Sequence, residues 1–380
     1  MLSGQSNTSV RLGDQLILKL FRRLEPGVNP DLEIGRFLTE KTDFRHTPRV
    51  AGVLEIQERR GEPITLGILK ELVANEGDAW SYTLDALGRF FDRVLAVWGH
   101  VDQVPVPFPA EPLIDLAERQ IPGDDFERIG TYLPTVRLLG ERTAELHVAL
   151  ATGRGKDFQP EPFSELYQRS LFDSMRSLTK KNFRLLRQQL ENLAPPVRET
   201  AERVLASEER IVERFRRLTA GKLTAERIRI HGDYHLAKVL YTGKDFVILG
   251  FEGELSQSLS QRRLKRSPLR DVAFMLRSFQ YAAYVKLFEE ISAGTASPDL
   301  LPVLEGWAVF WERWVSAAFL QAYLQRARGA SFLPPSSEER AILLDSYLLK
   351  RAVYELGAEL SNRPDWVRIP LQGIRQILGD

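Results

Sequence analysis

Residues 228 to 254 read IRIHGDYHLAKVLYTGKDFVILGFEGE, and this stretch decides the fold. A short strand-like lead, Ile228 to Ile230, runs into His231-Gly232-Asp233 and a loop. Val239 to Tyr241 and Phe246 to Leu249 then read as two strands joined across Thr242 to Asp245, a hairpin. The pattern sets one carboxylate, Asp233, in a loop between a strand and a hairpin, with residues 238 and 250 at the hairpin's two ends. A His-Gly-Asp tripeptide alone is compatible with an ordinary turn. Its spacing to a hairpin that closes on Phe251-Glu252-Gly253-Glu254 makes the joint pattern specific.

The sequence on either side is of two kinds. Before residue 75 it is β-rich: Thr8 to Val10 and Leu16 to Leu20 flank the turn Gly13-Asp14, and Val50 to Gln57 and Ile64 to Glu71 follow. One helix, Leu32 to Thr39, is opened by Pro30 and Asp31. Val73 to Asp78 reads as a linker. Beyond it come long helical patterns: Ala79 to His100, Thr135 to Ala151, Glu165 to Glu191, Pro196 to Leu218, Asp271 to Glu290, Val303 to Arg328 and Glu338 to Asn362. A Pro-rich run, Val104 to Pro112, breaks the first of these from the rest. The expected architecture is α+β and bilobal, with a small β-rich N-lobe over 1–74 and a large helical C-lobe over 75–380. The C-lobe carries the 228–254 hairpin. A length of 380 residues also exceeds what one hydrophobic core usually serves.

Composition narrows the class. A formal charge of +1 provides no basic field for nucleic acid, and the absence of Cys excludes disulfides, thiolate metal sites and cysteine catalysis. No basic-then-apolar leader and no apolar run of about 20 residues is present, so neither a signal peptide nor a membrane span is expected. These features suit a cytoplasmic enzyme.

Strand, His-x-Asp loop and hairpin are also the order in which protein kinases build their catalytic loop, with a metal-binding amide five residues after the Asp and a metal-binding Asp at the hairpin's end. In that reading Asp233 accepts or orients the proton of a substrate hydroxyl, while His231 braces the loop. His235 braces it too or simply packs. Lys19, a single cation in the apolar strand Leu16 to Leu20, is the candidate clamp for nucleotide phosphates, with Glu33 on the following helix as its partner. The alternative sets Lys19 on a solvent face. Ser6, Asn7, Thr8 and Ser9 belong to a small polar turn, Gly4 to Ser9, that offers backbone N–H groups to phosphates.

Several segments resemble the maltokinases, including kinase-like domains fused to or partnered with trehalose synthase. They are Ser6 to Ser9, Leu16 to Arg23, Gly27 to Ile34, Asn75 to Trp80, Arg142 to His147, His231 to His235, Ser267 to Ser278 and Asn362 to Pro364. The resemblance spans nearly the whole chain. It implies an aminoglycoside-phosphotransferase-like kinase fold and Mg²⁺-dependent transfer of the ATP γ-phosphate to maltose, giving maltose 1-phosphate for α-glucan (glycogen) synthesis from trehalose. It implies Asp233 as base, Lys19 as phosphate clamp, and a hinge from Leu69 to Val73, with Glu71 and Val73, against adenine. Trehalose synthase is the implied partner.

The chain departs from that family where metal is held. Lys238 stands where the family has Gln, and Gly250 where it has Asp; Ala237 replaces a Gly and Leu255 a Pro. An ammonium repels a divalent cation, and glycine has no ligand to offer Mg²⁺. Glu252 is left as a candidate ligand for one metal ion, and Lys238 as a direct contact to phosphate. The N-terminal cap segment of free-standing maltokinases is absent before the Ser6 to Ser9 turn, which points either to a piece of a longer fused protein or to a reduced form. The degraded metal site is expected to impair catalysis in a chain of maltokinase descent; the alternative is a catalytically inactive pseudokinase acting as scaffold or regulatory partner of trehalose synthase. A kinase for an amino sugar or aminoglycoside is a third reading, with few acidic residues near the site to support a polycation.

Trp307, Trp311 and Trp314 recur at helical spacing and read as core rather than as a sugar platform. Arg262 to Arg266 reads as a solvated basic loop, with contact to phosphate or a partner as the alternative. Arg270-Asp271 reads as structural; the resemblance alone implies Tyr354-Glu355 and Asn362 to Pro364 as a border of the sugar site.

Overall fold

The computed structural model describes residues 7–57, 61–98, 109 and 111–379. Its first part is an antiparallel sheet in the order β1-β2-β4-β3, built from β1 (Asn7–Leu12), β2 (Leu16–Phe21), β3 (Val50–Ile56) and β4 (Ile64–Glu71). Asn7, Thr8 and Ser9 are paired strand residues of β1 rather than a turn, opposite Phe21, Leu20 and Lys19. Ser6 lies outside the described residues. Helix α1 (Pro30–Lys41) follows β2 and is capped by Asn29, whose side chain accepts from the N–H groups of Asp31 and Leu32.

Register fixes the chemistry of this sheet. Lys19 stands opposite Ile68, and Ile17 opposite Lys70. Side chains two apart on a strand share a face, as do cross-strand partners, so Lys19 and Lys70 project from one face as diagonal neighbours. Glu71 falls on the other face and is exposed.

The remainder is helical: α2 (Ala79–Trp98), α3 (Leu113–Glu118), α4 (Gly123–Ile129), α5 (Tyr132–Ala151), α6 (Glu165–Gln189), α7 (Pro195–Ala206), α8 (Glu208–Arg216), α9 (Leu259–Arg262), α10 (Leu269–Ser292), α11 (Leu301–Arg326), α12 (Ser337–Asn362) and α13 (Arg368–Leu378). The stretch expected as one helix over 196–218 is split into α7 and α8, with Ser207 between them. Two-residue strands β5 (Glu161–Pro162) and β6 (Glu226–Arg227) pair, and β7 (Val239–Tyr241) with β8 (Phe246–Ile248) form the hairpin. The lead 228–230 makes one bridge, Ile228 to Arg266, instead of a strand.

Helix α10 is buried on nearly every side and forms the axis of this lobe, as its lack of a polar stripe requires. Trp307, Trp311 and Trp314 are buried core residues of α11. Residues 99–108, where part of the Pro-rich break falls, lie outside the described residues. Among the described residues no helix is long and apolar enough to cross a membrane.

Candidate functional site

The His231-Gly232-Asp233 loop is held from below by one carboxylate. Asp271, fully buried in the first turn of α10, accepts from the backbone N–H groups of His231 (2.7 Å) and Gly232 (2.9 Å). His147 Nε2 lies 3.3 Å from the same carboxylate, and its Nδ1 meets the Tyr323 hydroxyl at 2.9 Å. Burial alone would raise the Asp271 carboxyl, but His147, His231 and the Gly232 N–H outweigh it and hold it below its ordinary value. Gly232 has φ +84°, so the turn that presents Asp233 needs a residue free of Cβ strain. The His231 ring spans the loop: Nε2 is 2.8 Å from Leu249 O, and Nδ1 accepts from Asp233 N at 3.3 Å.

Asp233 faces a cavity of about 350 Å³ walled by α10 and α12. Burial would raise its carboxyl; His235, Lys238 and Arg351 outweigh that and hold it well below the usual carboxylate range. His235 Nε2 stands 3.7 Å from Asp233 Oδ2, and the buried His235 Nδ1 has no hydrogen-bond partner among the described residues. Around the cavity stand Glu254, Glu355 and Glu359, more acid than the sequence suggested. Each is matched by arginine. Glu254 takes Arg270 (2.5 Å) and Arg351 (2.9 Å), Glu355 takes Arg277 (2.7 Å) and Arg351 (2.9 Å), and Glu359 takes Arg363 (2.6 Å). Arg351, Glu355 and Glu359 recur every four residues on α12, and Arg363 follows at the same interval as its C-cap, a stripe whose spacing was readable in the sequence.

Above the loop, the expected pairing of Lys19 with Glu33 does not form. Lys19 Nζ binds Asp31 (2.8 Å) and Glu252, and Lys70 Nζ binds the other Asp31 oxygen (2.8 Å). Asp31 also accepts from Phe251 N at 3.0 Å. Glu33, two residues on and so on another face of α1, pairs instead with Arg229 (2.7 Å) and Arg263 (2.7 Å). Burial alone would lower the Lys19 ammonium, yet Asp31 and Glu252 raise it well above its usual range. Val73 is half-buried, and its carbonyl accepts from Asn75 Nδ2 at 2.9 Å.

The basic run after Glu254 is no solvated loop. Arg262 binds Glu25 and, at 3.1 Å, the carbonyl of Glu252; Arg263 binds Glu33; Lys265 binds Glu161 (2.9 Å). With Arg23 donating to Leu255 O (3.1 Å), the segment from 251 to 266 is tied to the sheet lobe at several points.

The hairpin sets the two positions at which the resemblance implied metal ligands. Leu249 N donates to Lys238 O at 2.8 Å, which brings residues 238 and 250 together at its open end. Lys238 Nζ lies 3.8 Å from Asp233 Oδ2 and 3.6 Å from where a Cβ on Gly250 would stand. Glu252 has one oxygen engaged by Lys19 and by Asn7 Nδ2 (2.9 Å); the other is buried without a hydrogen-bond partner among the described residues. Mg²⁺ asks for about six oxygens in near-octahedral array at about 2.1 Å. A lone Glu252 oxygen and an Asp233 already facing an ammonium do not make that set, and the residues present do not fit the ion. No group of three or more His, Asp or Glu suited to a metal occurs among the described residues.

No family model matches the chain. In shape it resembles solved structures of glucosamine kinase. One crystal form superposes with a TM-score of 0.68 at 21% identity, covering 97% of this chain and 75% of that one. A complex of glucosamine kinase with glucosamine, ADP and inorganic phosphate gives 0.69 at 22%, covering 97% and 74%. The fold is bilobal and kinase-like. At these identities the likeness speaks for the fold and does not single out maltokinases.

Proposed function

We propose that the chain is a sugar-kinase-type protein of maltokinase descent that has given up Mg²⁺-assisted phosphoryl transfer while keeping a sugar pocket at Asp233. The observation that carries this reading is Lys238, whose ammonium lies 3.8 Å from the carboxylate that would serve as base and runs across the side-chain-less Gly250. Phosphoryl transfer depends on charge neutralisation at the phosphates, and the divalent ions usually supply much of it. Asp233 is also made less basic by that neighbour.

The nucleotide contacts in this reading are Asn7, Thr8, Ser9 and Lys19, with Ser6 beside them and Glu71 and Val73 at the hinge. The lobes divide at 74/75, and the protein acts in the cytoplasm. The pocket takes a neutral sugar such as maltose, because each carboxylate around it except Asp233 is matched by arginine. Glucosamine, the sugar in the neighbour's structure, is the competing substrate. A silent kinase acts by association, and the partner implied by resemblance is a trehalose-synthase-type enzyme.

The test compares wild type with the double variant Lys238→Gln, Gly250→Asp. Sugar-dependent ADP release is measured with Mg²⁺ and either maltose or glucosamine. The expectation is no release from wild type and a gain with maltose in the double variant. Release from folded wild-type protein with either sugar would sink the proposal. Glucosamine-only release from the double variant would reassign the substrate. Gel filtration with the trehalose-synthase-type enzyme tests the partner, and separate peaks would remove it.

A further inference from the structure

A polyphosphate in a kinase-like cleft ordinarily arrives with Mg²⁺, which offsets the charge on its oxygens. This cleft carries a cation of its own. The Lys238 side chain crosses Gly250, with Cδ 3.5 Å and Nζ 3.6 Å from the point a Cβ would occupy. Glu252 Oε2 lies 3.0 Å from that same point, buried and without a hydrogen-bond partner among the described residues. The backbone bond between Leu249 and Lys238 holds this arrangement in place. The ammonium therefore stands beside Asp233 and Glu252, the two carboxylates that remain where metal would be bound.

Lys19 and Lys70 are matched closely by Asp31 and Glu252, whereas Lys238 stands over Asp233 without a hydrogen bond to it. A divalent ion placed here would meet Lys238 as a like charge. At 3.8 Å the contact of Lys238 with Asp233 is too long for a hydrogen bond, so the ammonium's three N–H donors are open to phosphate oxygens.

Resting on the reading that Mg²⁺-assisted transfer has been given up, we propose that the cleft takes a nucleoside polyphosphate free of divalent metal, with Lys238 as its tethered counter-ion. Metal-free ATP or ADP presents its full phosphate charge to Lys238. The same nucleotide complexed to Mg²⁺ has spent that charge and brings a cation against the lysine.

Calorimetric titration of the full chain tests this with ATP, ADP and inorganic tripolyphosphate, each in EDTA and in excess Mg²⁺. Wild type is expected to bind ATP in EDTA as tightly as in Mg²⁺, or more tightly. Lys238→Gln is expected to lose about tenfold or more of the EDTA affinity, and Lys238→Arg, which keeps the charge, to stay within about threefold. The wild-type comparison decides the matter even where a variant fails to fold. A tenfold tightening by Mg²⁺, or no binding in either condition, overturns the proposal. Tripolyphosphate binding as tightly as ATP overturns its nucleoside part. Maltose-dependent ADP release by wild type would overturn the functional reading instead, while the EDTA titration reports on the metal-free nucleotide separately.

Discussion

Asp31 is the most consequential single carboxylate in the sheet lobe, and Asp31→Asn is the sharpest test of the cluster. Asp31 is fully buried and receives Lys19 and Lys70, each at 2.8 Å, with side chains only 17% and 9% exposed. The amide keeps the shape and one acceptor for Phe251 N but removes the charge. Lys19 retains Glu252; Lys70 has no other carboxylate within 4 Å among the described residues. Breaking a buried pair by removing one partner costs about 3–5 kcal/mol, because the other charge is left uncompensated. Equilibrium unfolding in denaturant, read at unchanged slope, measures it. The pH dependence has a fixed sign. Burial would raise Asp31, but Lys19 and Lys70 hold it far below the usual range. A depressed carboxylate stabilises fully above its unfolded value of about 3.9 and loses that contribution as pH falls towards the folded value. The gap between wild type and Asp31→Asn is therefore whole at neutral pH. It narrows by about 1.4 kcal/mol per pH unit below about pH 4. A gap under about 1 kcal/mol at neutral pH, or one that does not change in acid, would refute the reasoning.

Two further substitutions probe the C-lobe. Asp271→Asn removes the charge from the acceptor of both loop N–H groups and turns an NH2 donor toward one of them; it is expected to cost about 1.5–3 kcal/mol in the same unfolding assay, and an unchanged midpoint would show that the loop is held otherwise. Lys350 is pulled down to about 7 by burial, with Arg270 and Arg266 adding to it. Its charged form is penalised in the fold, fully so below about pH 7, and the penalty is relieved as pH rises towards the unfolded value of about 10.4. Lys350→Met should gain on wild type most near pH 6 and least near pH 10, and thermal unfolding at the two values checks the order.

What the sequence disclosed was local. The hairpin and the position of Asp233 followed from alternation and turn residues across fewer than thirty positions, and the tryptophans of α11 from a helix that is apolar on most sides. That Lys19 needed a carboxylate was legible; that it is Asp31 and not Glu33 was not. Both sit in the first turn of α1, and the choice rests on which face of the helix meets the sheet, a tertiary matter. The basic run misled for a similar reason. Its acceptors, Glu25, Glu33 and Glu161, lie about 100 residues or more away in the chain, so no local pattern announces them. The arginine–glutamate matching around the pocket was half visible in the fourfold spacing on α12, while Glu254 and Arg277 join it from other elements.

The ties between the sheet lobe and residues 251 to 266 carry a consequence for access to the cleft. A seam closed by apolar packing alone yields to temperature and denaturant; this one adds to its packing, in which Phe37 stacks on Phe158, the ion pairs Lys19 with Glu252, Arg262 with Glu25 and Arg263 with Glu33. Parting the lobes brings these buried charges into water, where salt screens them, so the solvent's ionic strength becomes a control on the open state. The chain should be more compact in dilute buffer than in strong brine. Its radius of gyration by small-angle scattering, compared across the two, is where that breathing would be seen.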